Sequence, residues 1–421
     1  MAGKTIIQKI LAAHTAGATA VEPGAIIWLD LDVRTARDFA GANVVKNYRT
    51  HYGDVPVEDK EKTFFTFDLV VPPKNIPYAN NQQICRTWAR EQGVKVYDVN
   101  AGIGSHVAIE EGLAYPGSTL VGTDSHLNIL GAIGAFGQGM GDQDIAFAFK
   151  TGKTWFEVPP TMRVMVKGHV SPPCTARDLT LAVLRRLGSN GALGRAVEFY
   201  GPAVEALDLP GRITLASQVT EMGGIIGFVP PSEAVLAFAR ARTGREDLVG
   251  VAADPDASYV ETVEVDIADL EPLIACPPSP ANVRPVREVA GRHIDSVFLG
   301  SCTNGRFEDF AAVAEVVRGQ RIAPGVMASV VPATRAVFEQ LLDSGLLKVL
   351  FDSGFIISNP GCGGCASGHI GMTGAGQVQL STSNRNFPGK QGAGETYLVS
   401  PVTAAWSALK GEITVPEVPG V

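Results

Sequence analysis

The last third of the chain repeats one pattern: a short apolar run, a turn marked by glycine or proline, an amphipathic segment, then another apolar run. "HIDSVFLG" at 293–300 feeds the turn "SCTNGRFEDF". "VMASVVPATRAVFEQLLDSGLLKVLF" at 326–351 reads strand, helix, strand, and "TYLVSPVTAAWSALKG" at 396–411 adds a strand and a helix. Pro401 suits the start of that helix, where an amide hydrogen would find no acceptor. Strands alternating with helices bury their apolar faces best as sheets covered by helices, so the pattern predicts an α/β layer fold. The first half carries the same alternation. "GAIIWLDLDV" at 24–33 reads as one strand with a polar end, and "FFTFDLVV" at 64–71 as a second, stopped by Pro72 and Pro73. "NNQQICRTWAREQG" at 80–93 reads as a helix with Ile84 and Trp88 on one face; "VKVYDV" and "STLVG" follow as strands. A length of 421 residues with 45% apolar content predicts several cores. The expected division is three α/β domains, at 1–168, 169–292 and 293–421.

Other segments narrow the function classes. The formal net charge is −8 and the 35 lysines and arginines are scattered, which argues against nucleic-acid binding. A local basic pocket for a small acid stays compatible with that charge. "MAGKTIIQKILAAHTAG" is too short and interrupted for a signal peptide or membrane span. It reads as an amphipathic helix with Ile6, Ile10 and Leu11 inward and Lys4 and Lys9 toward water. Six cysteines are too few for a disulfide scaffold and point to a reducing, cytoplasmic setting. Thr175 and Asp178 form a capping-box signature ahead of Leu179, Ala182, Val183 and Leu187, with Gly188 as the stop. Gly137, Gly139 and Gly141 are wrongly spaced for a dinucleotide loop and suggest close helix packing or a backbone contact near an active site. The acidic stretch 253–283 reads as a long surface connection.

The chemistry concentrates in three short segments. In "SNPGCGGCASGHIG", 358–371, Cys362 and Cys365 form a C-x-x-C pair. By itself the pair fits zinc, an iron–sulfur cluster, thiol–disulfide exchange or packing. Redox exchange is the weaker fit, since no long helix clearly begins there to lower a thiol pKa. Cys302 in "SCTNGR" could join the pair through fold closure. Structural zinc wants four protein ligands, whereas a cubane can be held by three thiolates with one iron left open. His369 is the alternative fourth ligand for zinc. Cys85, Cys174 and Cys276 fall outside any ligand group. In "GTDSHLN", Asp124 and His126 sit two apart, so on extended backbone both face one side. That suits a carboxylate orienting an imidazole, though a solvated turn has the same composition.

At these motifs the chain resembles the aconitase superfamily, and within it the large subunits of isopropylmalate dehydratase and homoaconitase. The likeness covers nearly the whole length. It implies three α/β/α domains around an iron–sulfur cluster cleft, lacking the swivelling fourth domain, with Cys302, Cys362 and Cys365 binding a [4Fe–4S] cluster. Because 421 residues leave no room for that fourth domain, it implies a separate small swivelling-domain subunit, which carries the serine base. Catalytic residues by this resemblance are Asp68, His106, Asp124, His126 and Glu221. Ser125, Ser383, Arg385 and Lys390 would bind substrate, with the planar fork of Arg385 matched to a carboxylate. The bland alternatives are a core histidine for His106, a helix-end carboxylate for Glu221 and a surface ion pair for Arg385. Two positions depart from the family pattern. Leu69 stands where D-H-x-x-P has histidine, and Lys390 where N-R-N-F-x-G-R has its second arginine. The implied reaction is reversible dehydration of a 2-hydroxy di- or tricarboxylate. Isopropylmalate leads, and homocitrate-like, dimethylmalate and maleate-like acids stay open. Neither nucleic acid nor membrane is an expected partner; assembly into a higher heteromer is an option. A non-enzymatic cluster-binding or RNA-binding homologue is the competing class.

Overall fold

The computed structural model describes residues 3–16, 21–366 and 370–417. Three sheets dominate it, of five, four and seven strands, beside a two-stranded ribbon. The five-stranded sheet is parallel throughout, in the order Lys95–Tyr97, Thr63–Thr66, Val33–Arg37, Thr119–Gly122, Phe136–Gly139. The chain winds outward in one direction from Val33–Arg37 and in the other from Thr119–Gly122, so the winding reverses between these neighbours. Such a reversal opens a crevice at the carboxyl ends of the strands. The seven-stranded sheet repeats the arrangement: Ser296–Leu299 and Val378–Ser381 are parallel neighbours from which the chain winds in opposite directions. The four-stranded sheet, also parallel, comprises Ile226–Phe228, Ala196–Tyr200, Thr161–Lys167 and Glu261–Asp266.

Several local expectations shift for physical reasons. Residues 24–33 form two elements, because Ile26–Asp30 alternates exposed and buried on the ribbon with Lys153–Glu157, while Val33–Arg37 enters the buried five-stranded sheet. The strand at 64–71 stops at Thr66. Beyond it the Asp38 carboxylate captures the amides of Leu69 (3.0 Å) and Val70 (3.2 Å), pulling the segment out of the ladder. The helix Ile76–Gln92 buries Gln82, Cys85, Trp88 and Ala89, and Ile84 falls beside that face at 42% exposure. Trp88 packs instead on Tyr48, Phe65 and Phe149. The acidic stretch 253–283 is no mere connection. It contributes Glu261–Asp266 and Leu273–Ala275, and Val283–Pro285 begins at its end.

Other expectations hold. The amino-terminal helix Ile6–Ala13 buries Ile6, Ile10 and Leu11. Thr175 and Asp178 close their capping box on Ala176–Leu187, and Pro401 opens Pro401–Lys410. The glycines of 137–141 serve close approach: a Cβ on Gly137 would lie 2.0 Å from the Leu127 carbonyl oxygen, and one on Gly139 2.5 Å from that of Asp124. They let the Asp124–Leu127 segment lie flat on the neighbouring strand. Among the described residues no helix is long and apolar enough to cross a membrane.

Candidate active site

Both crevices contribute to one cavity of about 120 Å³, lined by Arg37, Leu69, Ile103, Asp124, Ser125, His126, Ser301, Cys302, Cys362, Cys365, Arg385 and Lys390. Arg37 ends its strand and Asp124 follows the adjacent one; Cys302 and Arg385 follow the two central strands of the larger sheet. The Cys302 turn holds Ser301 at φ +79°, a region that costs a non-glycine residue about 1–3 kcal/mol. Hydrogen bonding compensates: the Ser301 hydroxyl accepts from the Thr303 amide at 3.2 Å and donates to the Thr382 carbonyl at 3.4 Å.

Two ionic clusters organise the wall. In the first, Arg37 Nε donates to Asp68 Oδ1 (2.7 Å), Nη1 meets Asp124 Oδ1 (2.9 Å) and Nη2 donates to Cys362 Sγ (2.8 Å). Burial pushes the Asp68 carboxyl up to about 7, with Arg37 opposing the rise and the Asp38 and Asp124 charges adding to it. Its Oδ2 accepts the Gly104 amide at 2.7 Å. Asp124 is also buried, yet Arg37 and then His126 hold it below the usual carboxylate range. In the second cluster, Glu221 Oε1 accepts from Arg385 Nε at 2.7 Å and lies 3.1 Å from His126 Nε2. Against the effect of burial, His126 and Arg385 keep Glu221 ionised. An ionised carboxylate only accepts, so His126 carries its proton on Nε2. Nδ1 then faces the Ser125 hydroxyl at 3.3 Å.

Other sequence candidates lie elsewhere. His106 is fully buried behind Cys302, its Nε2 donating to the Cys302 carbonyl at 3.0 Å. Burial, then the Arg306 charge, lowers it to about 3, so the ring is neutral and holds the cysteine turn in place. Ser383 is buried with its hydroxyl bonded to Ser381 and Gln391, and lies off the cavity wall. Lys390 lies on the wall with its ammonium 6.0 Å from the Phe387 ring centre. His369 lies outside the described residues. Sequence reasoning missed Arg37. Its only local signal is an arginine between a strand and an acidic helix start, in "TARDF".

Burial pushes the Cys302 and Cys362 thiols up, so an ionised, metal-binding form needs positive charge nearby. Arg37 and Arg385 supply it. Among the described residues no three His, Cys, Asp or Glu side chains gather closely enough to share a single ion. The three cysteines instead spread around one cavity wall.

Parallel sheets that open paired crevices onto thiols, carboxylates and guanidiniums describe the active-site cleft of an α/β enzyme. The family follows from comparison: the profile of the Aconitase family (aconitate hydratase) matches residues 8–411, and the chain belongs to that family. It is 43% identical to the "Probable 3-isopropylmalate dehydratase large subunit" of Methanothermobacter thermautotrophicus, covering 98% of each chain. It is 40% identical to the "3-isopropylmalate dehydratase large subunit" of a Sulfurihydrogenibium species, covering 99% of this chain and 96% of the other. The "Probable methanogen homoaconitase large subunit" of M. thermautotrophicus is also 40% identical, over 99% of this chain and 98% of the other. The crystal structure of Thermococcus kodakaraensis aconitase X in its holo-form shares the fold, with TM-score 0.54 and 14% identity over 90% of this chain and 89% of that one.

Proposed function

We propose that this chain is the large subunit of a two-chain hydro-lyase that interconverts 2- and 3-isopropylmalate by dehydration and rehydration. The observation that carries the reading is the meeting of Cys302, Cys362 and Cys365 with Asp124, His126 and Arg385 on one cavity. The donor set fits a [4Fe–4S] cluster: three sulfur ligands spread around a wall, with no tight single-ion site among the described residues, suit a polynuclear group. When bound, that group supplies a Lewis-acidic iron that polarises the leaving hydroxyl.

The remaining roles belong to the chain's own side chains. Arg385 has its Nε on Glu221, leaving its terminal nitrogens to grip a carboxylate. Lys390, with no carboxylate partner among the described residues, meets the second. His126, its Nε2 proton fixed by Glu221, takes or returns a proton at Nδ1 through Ser125. Asp68, buried behind the cavity wall, orients the Arg37 guanidinium. Leu69 and Ile103 give the cavity an apolar side for an alkyl substituent. A small partner subunit closes the cleft and brings the base that removes the carbon-bound proton. This partner assignment draws on the "large subunit" names of the relatives.

A second reading, homoaconitase, is favoured by the names of two of the relatives. The test is to produce the chain anaerobically with its small subunit and follow products from 2-isopropylmalate, homocitrate, 2,3-dimethylmalate and maleate by NMR. Formation of 3-isopropylmalate is expected. Turnover of homocitrate alone would install the second reading, and hydration of maleate without isomerisation would replace both.

A further inference from the structure

We infer that Arg37 is a positioning residue that sets the electronic character of the iron–sulfur site through the sulfur of Cys362. The inference rests on the proposed role of Cys362 as a cluster ligand. Its geometric basis is that every nitrogen of the Arg37 guanidinium is engaged inside the protein. Nε is on Asp68, Nη1 on Asp124 and Nη2 on Cys362 Sγ, at 2.7, 2.9 and 2.8 Å. The side chain is 11% exposed, although it lines the substrate cavity. Three of its five N–H donors are taken and two carboxylates already balance its charge, which leaves it a poor clamp for a further carboxylate. Arg385, with Nε alone bonded to Glu221, has no such obstacle. Arg37 therefore faces the cavity without being a substrate clamp.

The backbone fixes the fork in place. Arg37 ends the strand Val33–Arg37, its amide donates to Thr123 Oγ1 at 2.9 Å, and the helix Asp38–Tyr52 starts immediately after it. The two carboxylates then orient the plane, so the third edge of the guanidinium is aimed at sulfur. The other two cysteines are served differently. Cys302 Sγ has neutral neighbours in Asn384 (3.4 Å) and Ser217 (3.9 Å). Cys365 has no hydrogen-bonded partner among the described residues. Among the described residues, Cys362 is thus the one proposed ligand whose sulfur accepts a hydrogen bond from a cationic donor. Hydrogen bonds to ligand sulfur and nearby charge are principal determinants of a cluster's reduction potential, and partners of metal ligands orient them and tune the metal. A cationic N–H on sulfur favours the reduced, more negative state, so its removal lowers the potential.

The test is an EPR-monitored redox titration of the full chain with its small subunit, loaded anaerobically, in wild type, Arg37→Met and Arg37→Lys. Arg37→Met loses both the charge and the N–H donor, and its midpoint potential should fall below wild type. Arg37→Lys keeps the charge but cannot span two carboxylates and a sulfur, so its potential should fall by less. Iron loss on exposure to air should accelerate in the same order. A wild-type potential in either loaded variant overturns the inference. If Arg37→Met does not load, Arg37→Lys alone decides. Failure of the underlying reading looks different: the wild-type chain itself would then take up no iron and sulfide.

Discussion

Asp38 does not line the cavity, yet it shapes the Asp68 loop. Its Oδ1 accepts from the Leu69 amide (3.0 Å) and more weakly from that of Asp68 (3.4 Å), and its Oδ2 accepts from the Val70 amide and from Gln82 Nε2 (both 3.2 Å). Asp38→Asn preserves volume but replaces one oxygen with an NH₂. Whichever way the amide turns, one pair of acceptances is lost and an N–H is set against an N–H. Hydrogen bonds to charged groups are worth about 1.5–3 kcal/mol each, so losing two at the lower figure costs about 3 kcal/mol. The site is fully buried, and solvent does not rescue the stranded donors. The loss falls on local opening of residues 67–71, which native-state amide exchange reads directly. At about 1.4 kcal/mol per factor of ten, exchange at Leu69 and Val70 should accelerate roughly 150-fold. Amides in the helix Pro401–Lys410 should be unaffected. If Leu69 and Val70 exchange within about threefold of wild type, the carboxylate is not what holds this loop.

Three further outcomes are expected. Thr175→Ala removes the capping hydroxyl that the Arg177 amide bonds at 3.1 Å and should cost about 1 kcal/mol in chemical denaturation. Arg385→Lys gives up the fork and its bond to Glu221; losing about 1.5–3 kcal/mol of charged hydrogen bonding should reduce kcat/KM roughly 10- to 150-fold, read by steady-state kinetics of the two-chain enzyme. The third concerns the His14–Asp32 pair, 2.8 Å apart. Burial lowers His14, but Asp32 prevails and leaves it above 6.5; burial raises Asp32, but His14 prevails and leaves it below 3.8. The histidine contribution is complete below pH 6.5 and fades as pH rises through its folded value, while the aspartate contribution is complete above pH 3.8 and fades as pH falls through its own. The Tm difference between wild type and His14→Gln should therefore peak near pH 5 and shrink above neutrality.

The motifs legible in the sequence are those whose parts are near neighbours. "TDSH" exposes its spacing directly, and the Asp124 side chain does bond the His126 amide at 3.0 Å. The Thr175 and Pro401 helix starts are equally local. Arg37 was illegible because its partners are 31 residues away at Asp68 and 325 at Cys362, and nothing in "TARDF" records that distance. The break in 24–33 was hidden because Leu31 and Val33 carry the apolar alternation past the end of the first strand, while the second strand, Val33–Arg37, is too polar in sequence to stand out. The strand Glu261–Asp266 had a readable sign. Val263 and Val265 alternate with acids and are buried at 4% and 5% exposure, a two-residue period that the overall acidity of the segment masked.

The charges around the cavity also bear on the choice of acid. Arg37 is balanced by Asp68 and Asp124, and each of its nitrogens already has a partner in the protein. Glu221 takes one edge of Arg385. What this chain can offer a substrate is the remaining edge of Arg385 and the ammonium of Lys390, enough for two carboxylates. A third would approach Asp124 or Glu221, both held ionised, and would be repelled unless a partner chain added a cation. Leu69 has the same bearing. Where an imidazole would present a polar edge, this chain presents a branched alkyl group beside Ile103, and burying an alkyl substituent against such a wall is favourable by about 0.8 kcal/mol per methylene. An isopropylmalate carries two carboxylates and an alkyl branch, whereas a homocitrate carries three carboxylates and no such branch, so these features agree with the proposed function.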